Sequence, residues 1–79
     1  MDKNVEISML CEIYGKLLTE KQLSILDEYY NQDLSLSEIA ENRNITRQAV
    51  REVIKKSENK LFEFEEKLEI MKKTYPNEM

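Results

Sequence analysis

Residues 34–56 read LSLSEIAENRNITRQAVREVIKK, and the fold turns on them. Ser35 and Glu38 have the spacing of a capping box, and Leu34 and Ile39 that of the hydrophobic staple around it. A short helix from Leu36 to about Asn42 follows. Thr46 is a second start signal, with Ile45 and Val50 as its staple but no acidic partner at position 49. Between the two starts sits Asn44, where the connecting turn needs a left-handed backbone that Asn tolerates better than most residues. The small Ala40 lets the second helix cross closely over the first. The pattern predicts a helix-turn-helix rather than an ordinary helical hairpin.

The flanking sequence extends the helical reading. Val5, Met9, Leu10, Ile13, Tyr14 and Leu17 recur at three- and four-residue spacing, predicting an amphipathic helix over residues 5–17. Gly15 either permits close packing there or marks the approach of its end. Thr19 and Gln22 form another capping box, stapled by Leu18 and Leu23. That helix is expected from Glu20 to about Tyr30, burying Leu23, Leu26 and one of Tyr29 and Tyr30. Asn31-Gln32-Asp33 is a polar stop. After Thr46 neither Gly nor Pro occurs until Pro76. Over that span Ile54, Ser57, Leu61, Phe64, Leu68, Met71 and Tyr75 form a heptad seam. Ser57 and Asn59 interrupt the apolar pattern; the chain either bends there or runs straight as one long helix, and two nearly continuous segments are the favoured expectation.

The chain is thus expected to be all-α, a helix-turn-helix without a wing and with a long C-terminal helix. It divides into an N-terminal helical pair (5–31), the helix-turn-helix (35–59) and a C-terminal heptad helix (60–75), all within one domain spanning 1–79. Its 79 residues support only a small core, and oligomerisation is a common remedy at this size. The seam residues Leu61, Phe64, Leu68 and Met71 are the expected homodimer interface; the alternative is that they pack on the first helix.

Composition argues against chemistry. There is no His and one Cys, so neither an intramolecular disulfide nor a metal cluster is expected, and no cofactor. Cys11 reads as a small buried hydrophobe. No Gly-rich phosphate loop occurs, and the Glu-rich stretches read as solvated helix faces, so an enzyme is not expected. Neither a signal peptide nor a membrane-spanning apolar run is present, which points to the cytoplasm.

The net charge of −4 hides a gradient. Residues 46–60 carry five Lys or Arg against two Glu, whereas residues 1–45 carry four against nine acids. Thr46, Arg47, Gln48, Arg51 and Lys55 are the candidate nucleic-acid contacts. Arg pairs bidentately with guanine and Gln with adenine, and a helix N-terminus with a Thr hydroxyl suits a phosphate. The plainer alternative is a solvated helix face.

Residues 17–61, LLTEKQLSILDEYYNQDLSLSEIAENRNITRQAVREVIKKSENKL, resemble region 4 of bacterial sigma factors. Nearly the whole chain resembles the YlxM family of small helical proteins, through CEIYGKLLTEKQ, LDEYYNQDLSLSEIAE, ITRQAVREVIKKSE and FEEKLEIM. The stretch after Met71 is shorter than in many members. The resemblance implies a DNA-binding regulator linked by gene neighbourhood to the signal recognition particle pathway. Two further readings stand beside it: an accessory protein binding that particle's protein or RNA, and an adaptor whose acidic N-terminal face meets a basic partner.

Overall fold

A computed structural model describes residues 2–74. The chain is helical across them: α1 (Lys3–Tyr14), a 3-10 turn (Gly15–Leu17), α2 (Glu20–Tyr30), α3 (Leu36–Arg43), α4 (Arg47–Leu68) and α5 (Ile70–Thr74). Tyr75 and the Pro76 stop lie outside the described residues.

The helix starts follow the local signals. Gln22 N–H donates to Thr19 Oγ1 at 3.1 Å, and Gln22 Oε1 accepts the Thr19 N–H at 3.0 Å. Ser35 and Glu38 repeat this reciprocal pair at 3.1 and 2.9 Å. Thr46 accepts from Ala49 N–H at 3.0 Å without a return bond, as the residue at position 49 dictates. Each cap satisfies amides that have no intrahelical acceptor, contributing about 1 kcal/mol.

The stops are equally physical. Asn44 adopts φ 56° and ψ 44°, the left-handed conformation expected of it. Ile45 N–H bonds back to Ala40 O at 3.0 Å, and Asn44 N–H to Glu41 O at 3.3 Å, a Schellman closure of α3. At the end of α2, Asp27 accepts from the side-chain amides of Asn31 and Gln32 at 2.8 and 2.7 Å. These two bonds hold the Asp27 carboxyl below its usual range despite some opposing burial. Asp33 then takes a positive φ and turns the chain into α3.

α4 is the spine. Its 22 residues rise about 33 Å at 1.5 Å each, against a longest molecular extent of 40 Å. α1, α2 and α3 all pack on it. The core joins Ile7, Leu10 and Tyr14 of α1, Ile25 and Leu26 of α2, Ile39 and Ala40 of α3, and Val50, Ile54 and Leu61 of α4. Gly15 is a close-approach position, since a Cβ there would lie 3.2 Å from Leu23 Cδ1.

Several expectations are revised. α1 ends at Tyr14, and both flanks of the 5–17 pattern point outward, Val5 at 47% exposure and Leu17 at 56%. Ile7 and Ile25, absent from the expected faces, are fully buried. α4 does not break near Ser57. That residue is buried, and its hydroxyl donates to Val53 O at 2.6 Å, so a small, internally satisfied side chain sits in the packed face. The interruption comes instead at Glu69, in the left-handed conformation with φ 52°.

A long-range knot fixes that turn. The Tyr14 hydroxyl donates to Glu65 Oε1 at 2.6 Å and accepts from Ile70 N–H at 3.1 Å. Glu65 also accepts from Met71 N–H at 3.0 Å and Lys72 N–H at 2.9 Å, capping α5 from the preceding helix. The expected dimer seam is largely used inside the protomer. Leu61 and Met71 are buried to 0% and 1% exposure, and Phe64 packs its ring 5.9 Å from that of Tyr14. Only Leu68 of the four stays exposed, at 48%. α1 and α5 cover the seam, because a chain this small places its largest apolar stripe against its own helices first.

Candidate nucleic-acid interface

Asn44 sets the direction of α4, and Thr46 sets its first turn. Val50, Ile54, Ser57 and Leu61 face the core. Arg47, Gln48, Arg51 and Lys55 are all exposed on the N-terminal half of the same helix, and Thr46 is exposed as its N-cap. Arg47, Arg51 and Lys55 stand at successive four-residue steps, one above another along a single face. Arg47, Gln48 and Arg51 line a shallow depression with Leu36, the first residue of α3. The structure therefore brings Arg47, Gln48 and Arg51 together beside α3, with Lys55 one turn further along α4 and Thr46 at its N-cap.

The groups there have spare bonding capacity. The Thr46 oxygen accepts from Ala49, which leaves its hydroxyl proton free to donate. The N–H groups of Arg47 and Gln48 are first-turn amides without intrahelical acceptors. The carboxamide of Gln48 leans on Glu52 at 3.4 Å, a long contact between exposed groups. Arg43, by contrast, is committed elsewhere. It makes a bidentate pair with Glu28, its Nε 3.2 Å from Oε1, which ties α3 to α2. That pairing raises its already high pKa against the opposing effect of burial.

A second groove adjoins the first. Lys3, Tyr29, Tyr30, Leu36, Arg51, Ile54, Lys55 and Glu58 line it, so Arg51 borders both. Lys3 comes from the other end of the chain, and its Nζ lies 3.1 Å from Glu58 Oε1. The Tyr30 hydroxyl donates to the other Glu58 oxygen. Burial, then that bond, push the Tyr30 phenol well above its ordinary pKa, so it is a stable donor. Sequence reasoning missed Lys3 and Leu36, because nothing local relates either to α4.

Among the described residues no helix is long and apolar enough to cross a membrane. The family model described as "Putative helix-turn-helix protein, YlxM / p13 like" (UPF0122) matches residues 1–79. A UPF0122 protein of Clostridium kluyveri is 52% identical over 71 residues, which cover 90% of this chain and 64% of that protein. One from Clostridium perfringens is 49% identical over 73 residues, covering 92% and 65%. One from Malacoplasma penetrans is 54% identical over 66 residues, covering 84% and 62%. The chain spans just under two thirds of the length of these curated relatives. With a matching helix-turn-helix in place and the family model covering every residue, this chain belongs to the UPF0122 family of YlxM/p13-like helix-turn-helix proteins.

Proposed function

We propose that this chain is a DNA-binding regulatory protein that places the N-terminal half of α4 in the major groove. One observation carries the reading. The exposed face of α4 gathers Arg47, Gln48, Arg51 and Lys55 directly after a helix-turn-helix turn, while the opposite face is spent on the core. In this reading Arg47, Gln48 and Arg51 meet base edges, and Thr46, Lys55 and the first amides of α4 hold phosphates. The acidic remainder keeps non-specific affinity low, because phosphate contacts supply most of it. Two copies would double those contacts and read two half-sites. The exposed Phe62, Leu68 and Ile70 are the apolar residues we assign to such pairing.

The test is a fluorescence anisotropy titration of labelled duplex DNA. Arg47→Ala with Arg51→Ala is expected to abolish binding while helicity is retained, and Gln48→Ala to reduce discrimination between sequences. Unchanged affinity in the double variant refutes the assignment of this face.

A second reading draws on a different groove. Lying between α1 and α2, it has Ile7, Leu23 and Leu26 in its lining and Glu12, Glu20 and Asp27 among its polar residues. Apolar lining with acidic groups suits a basic helix of a protein partner. It supports the accessory role in the signal recognition particle pathway implied by the YlxM resemblance. Capture of the particle's protein by wild type, lost on Glu20→Lys with Asp27→Lys, is its expected signature.

A further inference from the structure

The helix-turn-helix reading leaves Lys3 and the groove beside it unused. Glu58 stands seven residues after Arg51 on α4, two turns along the same face. Left bare, its carboxylate would end the basic strip directly beside Lys55. Lys3 and the Tyr30 hydroxyl occupy its two oxygens. The Glu58 side chain is 12% exposed, whereas that of Lys3 is 61% exposed. The ammonium thus stands between the carboxylate and solvent. Around the pair, Tyr29, Leu36 and Ile54 supply apolar lining, and Arg51 and Lys55 supply positive charge.

We propose that the N-terminal turn of α1 is part of the nucleic-acid surface. Lys3 neutralises Glu58, so that the groove, with Lys55 in it and Arg51 at its border with the base-reading face, seats the sugar–phosphate backbone flanking the site read by α4. The groove carries three cations against one acid. Its apolar lining suits sugar edges, and its charge suits the adjacent phosphodiester. Lys3 is here a positioning residue acting through Glu58. The inference rests on the DNA-binding reading above.

The measurement is anisotropy of labelled duplex DNA between 50 and 200 mM salt, for wild type, Lys3→Ala, Glu58→Gln and the pair combined. Lys3 is exposed, and Glu58→Gln keeps an oxygen that can accept from the Tyr30 hydroxyl, so the variants are expected to keep their helical circular dichroism. Removing one effective phosphate contact makes the slope of log K against log salt shallower by about 0.9, and cuts the affinity ratio across this range by roughly threefold. Lys3→Ala is expected to show that loss. Glu58→Gln is expected to steepen the slope by a similar amount, and the double variant to return to the wild-type value.

A wild-type slope in Lys3→Ala overturns the inference while leaving the α4 reading intact. A double variant that stays at the Lys3→Ala level overturns the neutralising role, since Lys3 would then touch phosphate by itself. Poly-glutamate binding that weakens in Lys3→Ala while the DNA slope is unchanged assigns the groove to an acidic protein segment, and also overturns it. Failure of wild type to bind DNA refutes the α4 reading and this inference with it.

Discussion

Tyr14→Phe isolates the knot that ends α4. The substitution removes one oxygen and leaves the ring, which is buried at 1% exposure beside Phe64, in place. Two hydrogen bonds disappear: the 2.6 Å bond to the Glu65 carboxylate and the 3.1 Å bond from Ile70 N–H. The first is charge-assisted and contributes about 2 kcal/mol, while water replaces much of the second at the exposed Ile70. A net loss of about 2 kcal/mol lowers Tm by about 10 °C in a domain of this size.

The loss is also pH-dependent. Burial disfavours ionised Glu65, but the donors Tyr14, Met71 N–H and Lys72 N–H, with the Lys72 charge, outweigh it and hold its pKa below 4.5. A carboxyl depressed in the folded state stabilises above its unfolded pKa and loses that contribution as pH falls through the folded one. The gap between wild type and Tyr14→Phe is therefore full at pH 7. It shrinks to about 1 kcal/mol as pH falls through the folded-state pKa and the carboxyl takes up its proton, leaving a neutral hydrogen bond. Thermal denaturation followed by far-UV circular dichroism reads both values. Equal Tm at pH 7, or a gap that stays constant through the acid titration of Glu65, refutes the reasoning.

Three further outcomes follow from the packing. Asn44→Ala is expected to lose about 1 kcal/mol to left-handed strain and Asn44→Gly to lose little, as read by urea denaturation. Leu61→Ala, at a site with 0% exposure, is expected to lose about 3 kcal/mol, whereas Leu68→Ala, 48% exposed, changes protomer stability little. Comparable losses at the two sites would contradict the intramolecular seam. Cys11, its thiol pushed up to about 11 by burial and then by the Asp27 charge, is expected to alkylate slowly. At pH 8 the rate should be about two orders of magnitude below that of the unfolded chain, followed with iodoacetamide and mass spectrometry.

What the chain reveals by itself divides by range. Thr19–Gln22, Ser35–Glu38 and Thr46–Ala49 are signals acting over three residues, and the helix starts follow them. Asn44 needs only its own backbone preference. The stop at Glu69 depends on Tyr14, 51 residues before the carboxylate it grips, so periodicity continues through a turn the fold imposes. Ser57 reads as a polar interruption but satisfies itself within the helix. Of the candidate interface, the spacing of Arg47, Arg51 and Lys55 on one helix face was legible. The approach of Lys3 to Glu58 was not, because it follows from the packing of α1 on α4.

The central claim is that the exposed face of α4 meets DNA phosphates and bases. Its most direct test is the salt dependence of duplex binding for wild type and the Arg47→Ala, Arg51→Ala variant, measured by anisotropy at matched helicity. The expected result is salt-sensitive binding by wild type, set by the phosphate contacts of Lys55 and the start of α4, with affinity in the double variant lost throughout the salt series. Identical curves for the two proteins, or no binding by wild type at low salt, would contradict it.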